Sequence, residues 1–374
     1  MINQNGLFLF NIISIIILVV IFNSRFFSFL DKNEFQRDEH LDGLRFFLAI
    51  AVAFHHMVYS YNWSFNNDWN IEHYPISKKL GRFGVCLFFM LSAYFMTRRN
   101  ITNVTDLVKF YIKRFFRIAP VAWLSASLCI MTALIFGSAI NYHNLIDNLF
   151  FWFDFGLTLN KPDINSFDNM FLINTGVMWT LHWEWLLYFS LPIIYIVREK
   201  LNNFIVSQCM NFTNVFVVSY FDQETSNYLL CFSLGMTVRD LVGKIKLSNN
   251  ISSVIVLLAI VLIFVRHASP LSTYSIIIES VIFFLICNGC DIFGLLKVRG
   301  AVRLGEVSYS IYLLHGIMWF YMNKMLVGHD IGNISYLGFS FATVLLTCLL
   351  SCVSFMLLEQ KGINLGKKIS TKIC

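Results

Sequence analysis

Arg45 and His56 stand eleven residues apart in the apolar run LDGLRFFLAIAVAFHHMVYSY. On an α-helix, at about 100° per residue, that spacing falls within about 20° of three whole turns, so both side chains share one face, about 16 Å apart along the axis. A guanidinium and an imidazole so placed suit an elongated ligand whose anionic part is held at one end while its reactive end reaches a base at the other. The bland counterpart is an arginine that snorkels to headgroups and a histidine that caps an interfacial contact. His55 points about 100° away and reads as packing or interface, although the spacing leaves the two histidines exchangeable in role.

Ionisable residues inside apolar runs are costly and default to a functional reading with a partner to be named. In GVMWTLHWEWLLYFSLP, Glu184 follows His182 in an otherwise aromatic and aliphatic stretch. A carboxylate there would orient and charge-stabilise a histidine acting as general base, or pair structurally with another buried polar group. Arg114 and Arg117 are three apart, hence neighbours on a helix, and could jointly hold phosphate groups. With Lys113 they equally form an ordinary basic anchor, which is the reading their own segment favours. Ser308, Tyr312 and His315 recur at four and three residues as one polar stripe, with Tyr309 and Ser310 beside them; such a stripe lines a cavity or joins helices.

The elements that must position these groups follow from composition. Of 374 residues, 57% are hydrophobic, 17% aromatic and 13% charged, against about 25% charged in soluble domains. A soluble globule is thereby excluded, and at about 20 residues per span the chain has room for about ten transmembrane helices. The apolar runs are continuous and lack the alternation of a barrel wall. The expected fold is all-α, a polytopic bundle with eleven candidate spans near 6–23, 44–60, 82–97, 118–140, 177–197, 203–221, 226–238, 251–265, 271–289, 306–326 and 334–358. The first lacks a basic n-region and a small-residue cleavage site, so it reads as a retained helix. One membrane domain over 41–360 is expected, preceded by an extra helix and inner loop (1–40) and followed by a basic tail (361–374).

Charge placement orients the bundle. If the tail KGINLGKKISTKIC is cytoplasmic and sides alternate backwards from it, 22 of the 28 Lys and Arg fall on inner segments, as the positive-inside rule demands. Lys78, Lys79, Arg82, Lys161, Arg266 and Lys324 are the exceptions. The N-terminus is then outside, as is the loop 141–176 with Asp147, Asp154, Asp163 and Asp168. The net charge of +6 reports topology, and no nucleic-acid partner is expected. The nine cysteines sit mostly in apolar runs as small fillers; Cys287 and Cys290 form a C-N-G-C spacing with no second pair, so no metal is expected.

Five blocks in order then resemble membrane-bound acyltransferase family 3: LDGLRFFLAIAVAFHH, FGVCLFFMLSAYF (83–95), RFFR followed by IAP, WTLHWE, and GEVSYSIYLLH. The resemblance covers about residues 40–360. It implies a multi-spanning enzyme moving an acyl group, usually acetyl from acetyl-CoA, onto hydroxyls of cell-surface glycans such as O-antigen, capsule or exopolysaccharide, in the bacterial inner membrane. It makes Arg45 and His56 an essential pair, Arg114 and Arg117 the paired arginines at the cytoplasmic face, and Glu184 the motif carboxylate. Two departures are Ala93 after Ser92, where the family usually has glycine, and the absence of a proline after Glu359. The implied mechanism threads acetyl-CoA past Arg114, Arg117 and Arg45 towards His56, which is oriented by Glu184 and removes the acceptor's proton. Tyr309, Tyr312 or His315 would donate to the oxyanion, and an acetyl-His56 carrier is an open variant. Trp179, Ser308, Tyr309, Tyr312 and His315 form the expected substrate-binding set. The rival reading is a secondary transporter or flippase with no acyl-transfer chemistry; a non-catalytic partner subunit is a third, and oligomeric state stays open.

Overall fold

The computed structural model describes residues 4–31, 38–97, 101, 103–137, 145–164, 167–245, 247–266 and 271–373. Arg98, which opens the basic stretch before the fourth span, and Cys374 lie outside them. Each of the eleven apolar runs forms a helix: α1 (Gln4–Phe22), α2 (Glu39–Asn66), α3 (Pro75–Thr97), α4 (Val104–Phe136), α5 (Trp179–Lys200), α6 (Asn203–Phe221), α7 (Gln223–Leu241), α8 (Asn249–Val265), α9 (Thr273–Cys287), α10 (Ser308–Leu326) and α11 (Asn333–Ser370). Among the described residues there is no strand, only an isolated bridge between Ile164 and Phe167. Six of the helices, α1 to α4, α6 and α11, are long and apolar enough to cross a bilayer by length and composition, and α8 and α9 are shorter apolar helices. The remaining three, α5, α7 and α10, carry Glu184, Asn227 and His315, polar groups that a bundle interior shelters and lipid does not. The chain is thus an all-α, polytopic membrane protein.

Helix α2 explains how the bundle frames a site. One of its faces, Leu41, Leu44, Leu48 and Val52, belongs to a core shared with α3, α4, α5, α7 and α9. The other, Phe46, Ala49, Ile50, Ala53, Phe54 and Met57, belongs to a second core with α1, α10 and α11. A helix apolar on nearly all sides is buried on nearly all sides. At 100° per residue, Arg45 and His56 fall between Val52 and Ala49, on the seam where the two cores meet. α3 lies against α2 so closely at Gly81 that a Cβ there would come within 2.4 Å of the His55 ring.

Two terminal regions are fastened to the bundle. Helix α11 runs through a π-helical turn at Phe355–Glu359 into Gln360–Ser370, within the basic tail. That last segment docks on α4, where a Cβ on Gly362 would meet Phe116 O at 2.4 Å. The N-terminal helix is likewise fastened. Buried Arg303, on the short helix Arg299–Glu306, donates to both carboxylate oxygens of Asp31 (2.7 and 2.6 Å) and to the carbonyls of Phe22 (2.9 Å) and Ser24 (2.7 Å) at the end of α1.

Candidate active site

Two cavities lie along the seam face of α2. The first, about 410 Å³, is lined by Arg45, Arg114, Arg117, Glu184, Ser308 and Tyr309 among others. The second, about 980 Å³, is lined by His55, His56, Trp179 and Trp183, with Arg82, Lys161, Asp163, Asp222 and Glu224 among its other lining residues. Val85 of α3 and Tyr312 of α10 line both, so they form the wall between a basic cavity and a histidine cavity. The sequence therefore distributes its functional types by compartment: three arginines on one side of Tyr312, the imidazole on the other.

In the histidine cavity, His56 Nδ1 lies 2.9 Å from His315 Nε2, and His315 Nδ1 lies 3.1 Å from the carbonyl of Ile311. A carbonyl only accepts, so Nδ1 of His315 carries its hydrogen. With both rings neutral, Nε2 of His315 is then an acceptor and His56 donates to it through Nδ1–H. The tautomer is assigned by this network, and it leaves Nε2 of His56 unprotonated, as a general base requires. His315 is thus the residue that orients His56, with no seat of its own on either cavity wall. His55 is held differently, donating from Nδ1 to the Ser77 carbonyl (2.8 Å) with its ring against Gly81.

The structure does not bring Glu184 to His56. Its Oε1 accepts a hydrogen bond from Ser92 Oγ at 2.5 Å, and it lines the basic cavity only. The cause is the compartment wall: Glu184 and Thr180 are four apart on one face of α5, and Thr180 ties that face to Tyr312. Its neighbour His182 faces the loop before α5, donating from Nδ1 to the Leu157 carbonyl at 2.5 Å.

Three arginines line the basic cavity. Arg45 donates to Asp42 at 2.8 Å and lies 4.9 Å from the centroid of the Phe95 ring. Arg114 sits over Phe110 (5.7 Å) and Tyr188 (5.9 Å), and its Nε is buried without a hydrogen-bond partner. One turn on, Arg117 lines the same cavity. Paired guanidinium groups are a usual way of holding phosphate oxygens.

Within the expected substrate-binding set, positions separate by role. Trp179 lines the histidine cavity, Ser308 and Tyr309 line only the basic one, and Tyr312 stands between. Tyr309 OH donates to the Ile118 carbonyl at 2.9 Å, so its hydrogen is committed away from any oxyanion. Tyr312 OH is 3.0 Å from Thr180 Oγ1, which itself donates to the Val177 carbonyl at 3.1 Å; Tyr312 is therefore the donor of the pair. Ser92, Thr180 and Val85 are the residues that sequence reasoning missed. Ser92 had one signal, a hydroxyl in the apolar block FGVCLFFMLSAYF. Among the described residues no group of three or more metal-ligating side chains could hold an ion.

The chain is similar to known proteins. A family model, that of the acyltransferase 3 "Acyltransferase domain", matches residues 38–355. The ORF330 protein of Acidianus two-tailed virus, named as an acetyltransferase, is 24% identical over 298 residues, 75% of this chain and 83% of that one. Nodulation protein 10 of Rhizobium leguminosarum bv. viciae is 23% identical over 363 residues, 87% of this chain and 93% of that one. No solved structure matches.

Proposed function

The chain belongs to acyltransferase family 3, and from that premise we propose that it moves an acetyl group from acetyl-CoA to a hydroxyl of a cell-surface saccharide across the bacterial inner membrane. The observation that carries this reading is the pair of cavities along one face of α2, three arginines in one and an orientable imidazole in the other, with Val85 and Tyr312 lining both. Donor and acceptor on opposite sides of a bilayer need such a through-membrane meeting point.

In this reading the donor's phosphates bind Arg114 and Arg117 with Arg45 deeper in, on the cytoplasmic side, which the positive-inside count assigns to the C-terminal end of the chain. The thioester arm passes Tyr312. His56 Nε2 takes the proton of the acceptor hydroxyl as its oxygen attacks the thioester carbonyl; the C–S bond breaks, and the proton returns from His56 to the departing thiolate. His315 holds the ring throughout and accepts from Nδ1–H more strongly as charge develops. Tyr312, which lines both cavities and at rest donates to the Thr180 hydroxyl, supplies the donor by turning its hydroxyl hydrogen from Thr180 to the developing oxyanion. Glu184 and Ser92 shape the donor side. An acetyl-His56 carrier uses the same nitrogen.

The test is transfer of labelled acetyl from acetyl-CoA to glycan by the protein in proteoliposomes. His56→Ala should abolish transfer while the protein still inserts; full transfer by that variant would sink the proposal. Movement of glycan with no label transferred would mark a transporter instead.

A further inference from the structure

The charges around the histidine cavity are already spent. Two cationic side chains line it, Arg82 and Lys161, and each has an acidic partner. Lys161 is bonded to Asp154 at 2.5 Å with both side chains buried. Arg82 lies 3.8 Å from Glu224 and 3.2 Å from Tyr228 OH, which itself donates to Glu224 at 2.5 Å. Three carboxylates line the same cavity: Glu224, Asp222 at the start of α7, and Asp163, which accepts from the backbone of Asn169 and Met170 (3.1 and 2.8 Å). The lining therefore has two cations against three carboxylates, the reverse of the basic cavity, where Arg45, Arg114 and Arg117 face Glu184.

What the histidine cavity offers instead is aromatic surface. Trp69, Trp179, Trp183 and Tyr228 line it, with Tyr59 packed on Trp69 at 4.8 Å and Trp179 and Trp183 packed on Tyr228 at 5.1 and 5.0 Å. Such rings present apolar faces with polar edges, suited to the C–H faces and hydroxyl rims of sugar rings. We propose that the acceptor is an uncharged saccharide, stacked on these rings, and that acidic sugars are rejected because, among the described residues, each cation lining the cavity already faces a carboxylate while Glu224, Asp222 and Asp163 repel them. This rests on the acyl-transfer reading and names the acceptor's chemical class.

Like charges held about 4 Å apart at the polarity of a protein surface repel strongly enough for about a tenfold or larger preference. The experiment offers the full-length protein labelled acetyl-CoA and three oligosaccharides of one length: a neutral hexose chain, the same chain carrying uronic acid, and the same chain carrying free amino sugar. The neutral chain should be acetylated at least about tenfold more efficiently in kcat/KM than the acidic one, and added salt should narrow that ratio. Glu224→Gln, which releases Arg82 from its acidic partner, should shift the neutral-to-acidic ratio towards the acidic chain. Equal or better use of the acidic chain, or a ratio unmoved by Glu224→Gln, overturns the proposal and leaves acyl transfer standing. No transfer to any of the three, with labelled acetyl-CoA intact, overturns the acyl-transfer reading with it.

Discussion

A histidine whose Nδ1–H is engaged can present only Nε2 as a base, and in this protein the engaging group is a second histidine. Replacing His315 by Ala should free the His56 ring to turn and to change tautomer. A loss of about 10²- to 10⁴-fold in kcat is expected, the usual worth of a positioned base, with little change in donor KM. His315→Gln, whose amide oxygen accepts from Nδ1–H, should recover part of the rate that Ala loses; equal activity of the two variants would show that position 315 is only packing. Glu184→Gln belongs to the other cavity, so its effect should fall on donor KM rather than on kcat. Arg114→Ala with Arg117→Ala should raise donor KM by about tenfold or more, measured against unchanged acceptor KM. These assignments were only partly legible in sequence. Arg45 and His56 could be put on one face because helical periodicity is local, whereas His56 and His315 are 259 residues apart and nothing local couples them. Glu184 looked like the orienting carboxylate because its depth suited His56, and depth says nothing about which side of a wall a side chain stands on.

At the scale of elements, the wall itself is a contact between α10 and α5. Tyr312 reaches Thr180 across it and packs edge-on against Phe88 of α3 at 6.0 Å and against His315 at 5.9 Å. Removing the ring should join the two cavities and admit water to the donor's carbonyl. Tyr312→Ala is therefore expected to hydrolyse acetyl-CoA to acetate and free thiol without acceptor, at a rate above that of the intact protein, while glycan acetylation falls. Thr180→Val should do the same more weakly, since the ring remains and only its anchor is lost. Thiol release followed with no glycan present checks both; absence of any excess hydrolysis would mean that the wall is not what keeps water out. The helices that build this wall were readable from apolar runs. Their mutual contacts were not, because packing partners in a bundle are set by shape over distances that periodicity does not reach.

For the molecule as a whole, two fastenings hold regions at the edges of the family match. The segment after the π-turn of α11 presses Gly362 on Phe116, one residue before Arg117, so Gly362→Leu should push α4 away and raise donor KM without altering the acceptor's. Arg303 ties α1 to the rest, and its guanidinium beside Asp31 holds that carboxyl below the ordinary carboxylate range. A carboxylate depressed in the folded state contributes stability that is complete above its unfolded value of about 3.9 and is lost as pH falls through the folded value. Thermal unfolding should accordingly occur several degrees lower as pH drops below about 4, and Asp31→Asn should be less stable than the parent at neutral pH yet less sensitive to that drop. A parallel pH response of the two proteins would place the acid sensitivity elsewhere.

Because Arg45 and His56 stand eleven residues apart on one helix, the helical rise fixes the interval between them, the two cores only hold that face towards both cavities, and in the proposed reaction α2 would act as a gauge for the length of the donor. A thioester long enough to span that interval engages both ends at once, whereas a short one, such as the acetyl thioester of N-acetylcysteamine, reaches only the histidine. The short donor should be used poorly by the intact protein, and Arg114→Ala with Arg117→Ala should scarcely worsen it.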